Sequence, residues 1–179
     1  MKRRSLLAAL VPVAACSRRD EQGASYLAAL IAAIHDSGRI VVTEHSFELD
    51  AYDMNQGKSL LPGTVVYRTV ELSPAQKATL LQSIERLDSK TQDAVPACIF
   101  EPHHTIHFHT KGRLRSTMRI CFACSQMQWD ETSATPPWAL YRVLHDAIKA
   151  LGLEPERDWR ALAREHLRKL SSRPPSMST

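Results

Sequence analysis

Cys98-Ile-Phe-Glu-Pro-His-His-Thr-Ile-His-Phe-His-Thr-Lys-Gly-Arg-Leu-Arg-Ser-Thr-Met-Arg-Ile-Cys-Phe-Ala-Cys124 is the stretch on which the fold turns. Two alternating runs flank Thr110, Lys111 and Gly112, and this pattern predicts a β-hairpin over about 101–122. A three-residue loop with Gly112 left-handed sets His109 opposite Arg113, Phe108 opposite Leu114 and His104 opposite Met118. The same register sets His103 opposite Arg119 and Glu101 opposite Cys121. Phe108, Leu114, Ile106, Met118, Ile120 and His104 then share one side. His103, His107, His109, Arg113, Arg115, Arg119, Glu101 and Cys121 share the other. A two-residue loop sets Phe108 against Arg115 and mixes the faces, so the longer loop is preferred. Extended past Pro102, the ladder brings Cys98 near Cys124.

Working outward, Tyr26, Leu27, Leu30, Ile31 and Ile34 recur at helical spacing and end near Gly38. Ile40 to Phe47 and Thr64 to Leu72 read as strands, separated by Asn55-Gln56-Gly57 and Pro62-Gly63. Ser73-Pro74 caps a helix that runs through Leu87. A short strand is expected at Met127 to Trp129. A helix follows Pro136-Pro137 as far as Gly152, and a last one covers roughly Glu156 to Leu170. Trp138 and Trp159 lie on these helices as expected core residues, while His35, His45, His145 and His166 read as isolated. Helices grouped around hairpin strands specify α+β: an antiparallel sheet with a central hairpin, packed against about four helices.

The chain has 179 residues, 44% hydrophobic and 23% charged, which describes one domain able to bury a core and argues against disorder. Four cysteines are too few for a disulfide-dense miniprotein. The N-terminus carries an address. Lys2, Arg3 and Arg4 precede an apolar stretch too short to span a bilayer, then Val13-Ala14-Ala15-Cys16. This ending resembles the lipobox of bacterial lipoprotein signal peptides. The resemblance implies cleavage before Cys16, lipidation of its thiol and acylation of the new amino terminus. By the same family analogy, Ser17 after the cysteine implies sorting to the outer membrane, with the domain in the periplasm. The expected organisation is a signal peptide at 1–15, a lipidated tether at 16–25, a single α+β domain at 26–171 and a disordered tail at 172–179. Removing the leader leaves 20 Lys and Arg against 19 acids, so the formal charge of +4 becomes +1. A nucleic-acid partner is therefore not expected, and the membrane is reached through the lipid anchor.

The remaining chemistry concentrates in the opening stretch, with half of the eight histidines and all three cysteines beyond Cys16. Three thiols with an imidazole make a tetrahedral zinc or copper site, so Cys98, Cys121 and Cys124 are candidate metal ligands with His103 or His104 as the fourth. The same cysteines are candidates for a structural disulfide in an oxidising compartment, which leaves one thiol over. A third possibility is reversible thiol-disulfide exchange by Cys121 and Cys124, although a strand end lacks the helix N-terminus that lowers a thiol pKa. Arg113, Arg115 and Arg119 are candidate anion-binding residues. No catalytic residue is assigned, and a binding or structural role leads over an enzymatic one. The Cys-x-x-x-Pro-x-His element at 98–104, with Ile-Cys-Phe-x-Cys at 120–124, resembles a signature of bacterial exported proteins that carries no assigned activity.

Overall fold

The computed structural model describes residues 20–91 and 97–172. The leader, Cys16 and the last seven residues lie outside this range.

The first helix, α1, spans Glu21–Asp36 and begins earlier than the periodicity indicates. The expected tether at 16–25 is corrected accordingly, since its last five residues are helical. The cause is local: the Asp20 carboxylate caps the helix by accepting from Gly23 N at 3.2 Å, and it also accepts from Thr91 N at 2.9 Å. Gly23 permits this close approach, because a Cβ there would lie 1.8 Å from the Ser89 carbonyl oxygen.

The main sheet has five antiparallel strands. They are β1 (Arg39–His45), β4 (Val66–Glu71), β5 (His104–Thr110), β6 (Arg113–Cys121) and β7 (Gln126–Trp129), in the order β4-β1-β5-β6-β7. A second, two-stranded ribbon pairs β2 (Tyr52–Asp53) with β3 (Lys58–Ser59), just after a 3₁₀ turn at Glu48–Ala51. Helix α2 (Pro74–Glu85) starts at Ser73 with a reciprocal cap: Gln76 N donates to Ser73 Oγ and Ser73 N to Gln76 Oε1. Helices α3 (Trp138–Ala150) and α4 (Trp159–Ser171) complete an α+β fold. Alternation sends Ile40 and Val42, Ile106 and Phe108, and Met118 and Ile120 to one face. There they pack with Tyr26, Leu30 and Ile34 of α1, Leu80 and Ile84 of α2, and Leu140, Leu144 and Ile148 of α3. Each large apolar side chain buried here contributes about 1.5–3 kcal/mol. Helix α4 belongs to a smaller cluster, in which Ala163 and Leu167 meet Ala51, Leu61 and Val65.

The hairpin departs from the expected register. The loop has two residues, Lys111 and Gly112, both left-handed at φ 51° and 77°, and Thr110 pairs with Arg113. A bulge then shifts the ladder between Phe108 and His109, so Phe108 faces Ser116, Ile106 faces Met118 and His104 faces Ile120. Beyond the bulge the expected pairs are thus displaced by two residues, an even shift that preserves the faces; between the bulge and the tip the displacement is one residue, which turns Leu114 to the side of His109. The bulge removes the objection to the short loop. Leu114, expected in the core, lies before the bulge and is 55% exposed. Trp138, also expected in the core, is exposed on the first turn of α3.

Candidate functional site at the base of the central hairpin

The end of β6 and the turn into β7 place Cys121 and Cys124. Ser125, at φ 49°, reverses the chain, and its N–H donates to the Phe122 carbonyl at 3.1 Å. The segment before Pro102 runs alongside. Cys124 Sγ donates to the Ile99 carbonyl at 2.9 Å, and Cys98 Sγ lies 3.9 Å from the Cys124 carbonyl oxygen. Gln126 Nε2 donates to the Cys98 carbonyl at 3.2 Å. All three cysteines are free thiols: Cys98 exposed, Cys124 half-buried and Cys121 buried. Cys124 is the central member. Burial pushes its thiol well above the ordinary range, and hydrogen bonds with Cys121 and with Cys98 push it the same way.

The two expected imidazole ligands are engaged elsewhere. His103 Nε2 lies 2.9 Å from Asp50 Oδ1, and its ring stacks on Trp159 with centroids 4.4 Å apart and planes within 5°. His104 is fully buried between Phe122 and Trp159, with Nε2 4.0 Å from Glu44 Oε2. Among the described residues, no group of three or more His, Cys, Asp or Glu side chains has the spacing to hold a metal ion. The thiols meet one another, and the histidines meet carboxylates.

These carboxylates form a second centre that the sequence reading does not contain. Glu44 lies on β1 in the same alternation as Ile40 and Val42, so the strand carries its charge to the helix-covered side. Its Oε2 accepts from Glu154 N at 3.2 Å, and its Oε1 lies 3.2 Å from Arg157 Nη1. Five buried polar atoms among the described residues lack a hydrogen-bond partner: Glu44 Oε1, the Tyr67 hydroxyl, both ring nitrogens of His104 and Arg157 Nε. All five belong to this cluster, a concentration that ordinary cores avoid. Burial first, then the positive potential of His103, His45 and Arg157, pushes His104 down to about 3. The imidazole is neutral at pH 7. Burial, with Asp50 nearby, pushes Tyr67 up to about 12. Trp159, expected only as a packing residue, closes the cluster from above.

The opposite face of the sheet is open. His45, expected to be isolated, joins a network there. Its Nδ1 lies 2.9 Å from the Ser46 carbonyl and so carries the proton, while Nε2 accepts from Thr105 Oγ1 at 2.7 Å. His107 Nε2 lies 3.4 Å from Thr43 Oγ1. These residues line a groove of about 440 Å³ together with Phe47, Pro102 and Arg119. The three candidate anion-binding arginines are dispersed. Arg115 pairs with Glu131 at 2.7 Å, Arg119 donates to Gln128 at 2.6 Å and lies over Phe100, and Arg113 sits at the hairpin tip. Arg113 and Arg119 are six positions apart on the strand, roughly 20 Å.

No helix among the described residues is long and apolar enough to cross a membrane. Comparison with protein-family models, with curated proteins and with solved structures gives no match, so the chemistry of this site rests on its own residues.

Proposed function

We propose that this chain is a lipid-anchored protein of the bacterial envelope, held through Cys16 at the outer membrane and facing the periplasm. Its three remaining cysteines form one bridging site that fastens the segment before Pro102 to the β6–β7 turn. The observation that carries this reading is the close approach of the two segments at Cys124: its thiol donates to the Ile99 carbonyl at 2.9 Å, and Cys98 Sγ lies 3.9 Å from its carbonyl oxygen. Three thiols form one disulfide and leave one thiol over. In an oxidising compartment a Cys98–Cys124 bridge joins positions 26 apart in the chain, a constraint of about 3 kcal/mol on the unfolded ensemble. The role is structural and non-enzymatic.

A second reading is thiol-disulfide exchange. The exposure of Cys98 favours it, because an accessible thiol next to a Cys121–Cys124 bridge is placed to attack the shared sulfur.

Two substitutions test the proposal. Cys16→Ser is expected to abolish lipid-dependent processing and release the protein from the membrane fraction, and unchanged processing and fractionation contradict the anchor. Cys124→Ser is expected to leave Cys98 and Cys121 both reactive to alkylation when protein recovered under oxidising conditions is denatured without reductant. A bridge that survives in Cys124→Ser contradicts the shared-partner arrangement.

A further inference from the structure

We propose that His107 and His109 form a two-imidazole site for a divalent transition-metal cation, copper(II) or zinc, on the open face of the sheet. The two residues are separated by one position on β5, so both side chains leave the same face. Their ring centroids stand 6.5 Å apart with planes inclined by 47°. Metal-nitrogen bonds of about 2.0–2.1 Å require the rings to approach by roughly 1–2 Å, within the reach of side-chain torsions on a half-exposed strand. Imidazole is a preferred donor for both metals.

The surroundings suit a ligand pair. An ordinary imidazole is largely neutral at pH 7.4, so a ring nitrogen lone pair is available on each histidine. Thr43 Oγ1, 3.4 Å from His107 Nε2, provides a hydroxyl oxygen beside the site. Arg39, the cross-strand neighbour of His109, is neutralised by Glu71 at 2.7 Å, so the nearest charge on β1 is already paired. His45 lies on the same face, but its Nε2 is occupied by Thr105, and the site is assigned two protein ligands with water completing the sphere. The cysteines take no part, which separates this inference from the thiol reading.

The test is copper(II) titration of the purified protein with its thiols alkylated, read by electron paramagnetic resonance at pH 7.4, with circular dichroism to check the fold. One equivalent of copper is expected, with hyperfine coupling to two imidazole nitrogens. The double substitution His107→Gln/His109→Gln is expected to weaken binding at least tenfold, whereas His166→Gln leaves it unchanged. Equal affinity in the double variant, or a spectrum without coupled nitrogens, overturns the proposal. Paramagnetic broadening of imidazole resonances in the unsubstituted protein gives an independent reading. His107 and His109 should broaden first, and prior broadening of any other histidine counts against the site.

Discussion

His104 shows how far a single residue can set the behaviour of this protein. It follows the apolar alternation of β5, which carries its imidazole into the helix-covered interior beside Glu44. An imidazole that titrates near 6.5 in the unfolded chain is held down to about 3 in the fold, chiefly by burial. Between these values the unfolded chain binds a proton that the native state refuses, so stability rises with pH. The contribution is complete above the unfolded value and is lost as pH falls toward the folded one, by up to about 1.4 kcal/mol per pH unit for one imidazole. His45 and His107 are shifted down for the same first cause and add slope of the same sign. Urea unfolding should therefore give nearly constant stability between pH 7 and 8 and a decline from pH 6.5 to 5, with a separate decline above pH 9 in reduced protein, where the unfolded chain releases the Cys124 proton that the fold retains. His104→Gln should reduce that slope by close to one proton, whatever its cost at pH 7. An unchanged slope contradicts the assignment of His104 as a neutral buried imidazole.

At the scale of elements, the join between β1 and α4 is the least ordinary feature of the molecule. Glu44 is wholly buried, and Arg157, just before α4, is its partner at 3.2 Å, while Trp159 in the first turn of α4 stacks on His103. Removing one partner of such a pair strands the other charge. Arg157→Met should cost about 3–5 kcal/mol by equilibrium denaturation, and Glu44→Leu combined with Arg157→Met should recover much of it. A loss below about 0.5 kcal/mol for Arg157→Met would show that the pair does not hold α4. The hairpin makes a smaller prediction. Gly112 sits at φ 77°, so Gly112→Ala should lower stability by about 1 kcal/mol, and no loss would contradict the left-handed turn.

These two elements also show what local pattern reveals. The faces of the hairpin followed from alternation, because only parity decides which side a residue takes. Its register did not, because a two-residue turn followed by a bulge and a three-residue turn without one give the same faces beyond the bulge, and differ only at Leu114 and its neighbours near the tip. The meeting of Cys98 with Cys124 followed from extending the strands. The departure of His103 and His104 toward Asp50 and Glu44 did not, because both carboxylates arrive from chain 50 or more residues earlier. Glu44 did leave a trace: a charge in the alternation of Ile40 and Val42 marks a buried polar position before any partner is known.

At the scale of the whole molecule, helices cover one face of the sheet and leave the other open, and the two faces are given different chemistry by strand parity alone. The covered face ends in a charged, partly unsatisfied cluster beneath Trp159. The open face presents His45, His107 and His109 among threonines. The thiols lie where the sheet ends, at the junction of the 97–103 segment with the β6–β7 turn, so a bridge there reinforces a connection that otherwise rests on a few hydrogen bonds. The most direct test is disulfide mapping by mass spectrometry of protein isolated from the envelope fraction, alkylated in denaturant and digested without reduction. An intramolecular Cys98–Cys124 bridge, with Cys121 the single alkylated cysteine, is the expected result; a Cys121–Cys124 bridge, three alkylated cysteines, or stoichiometric metal retained by three thiolates, would contradict the account.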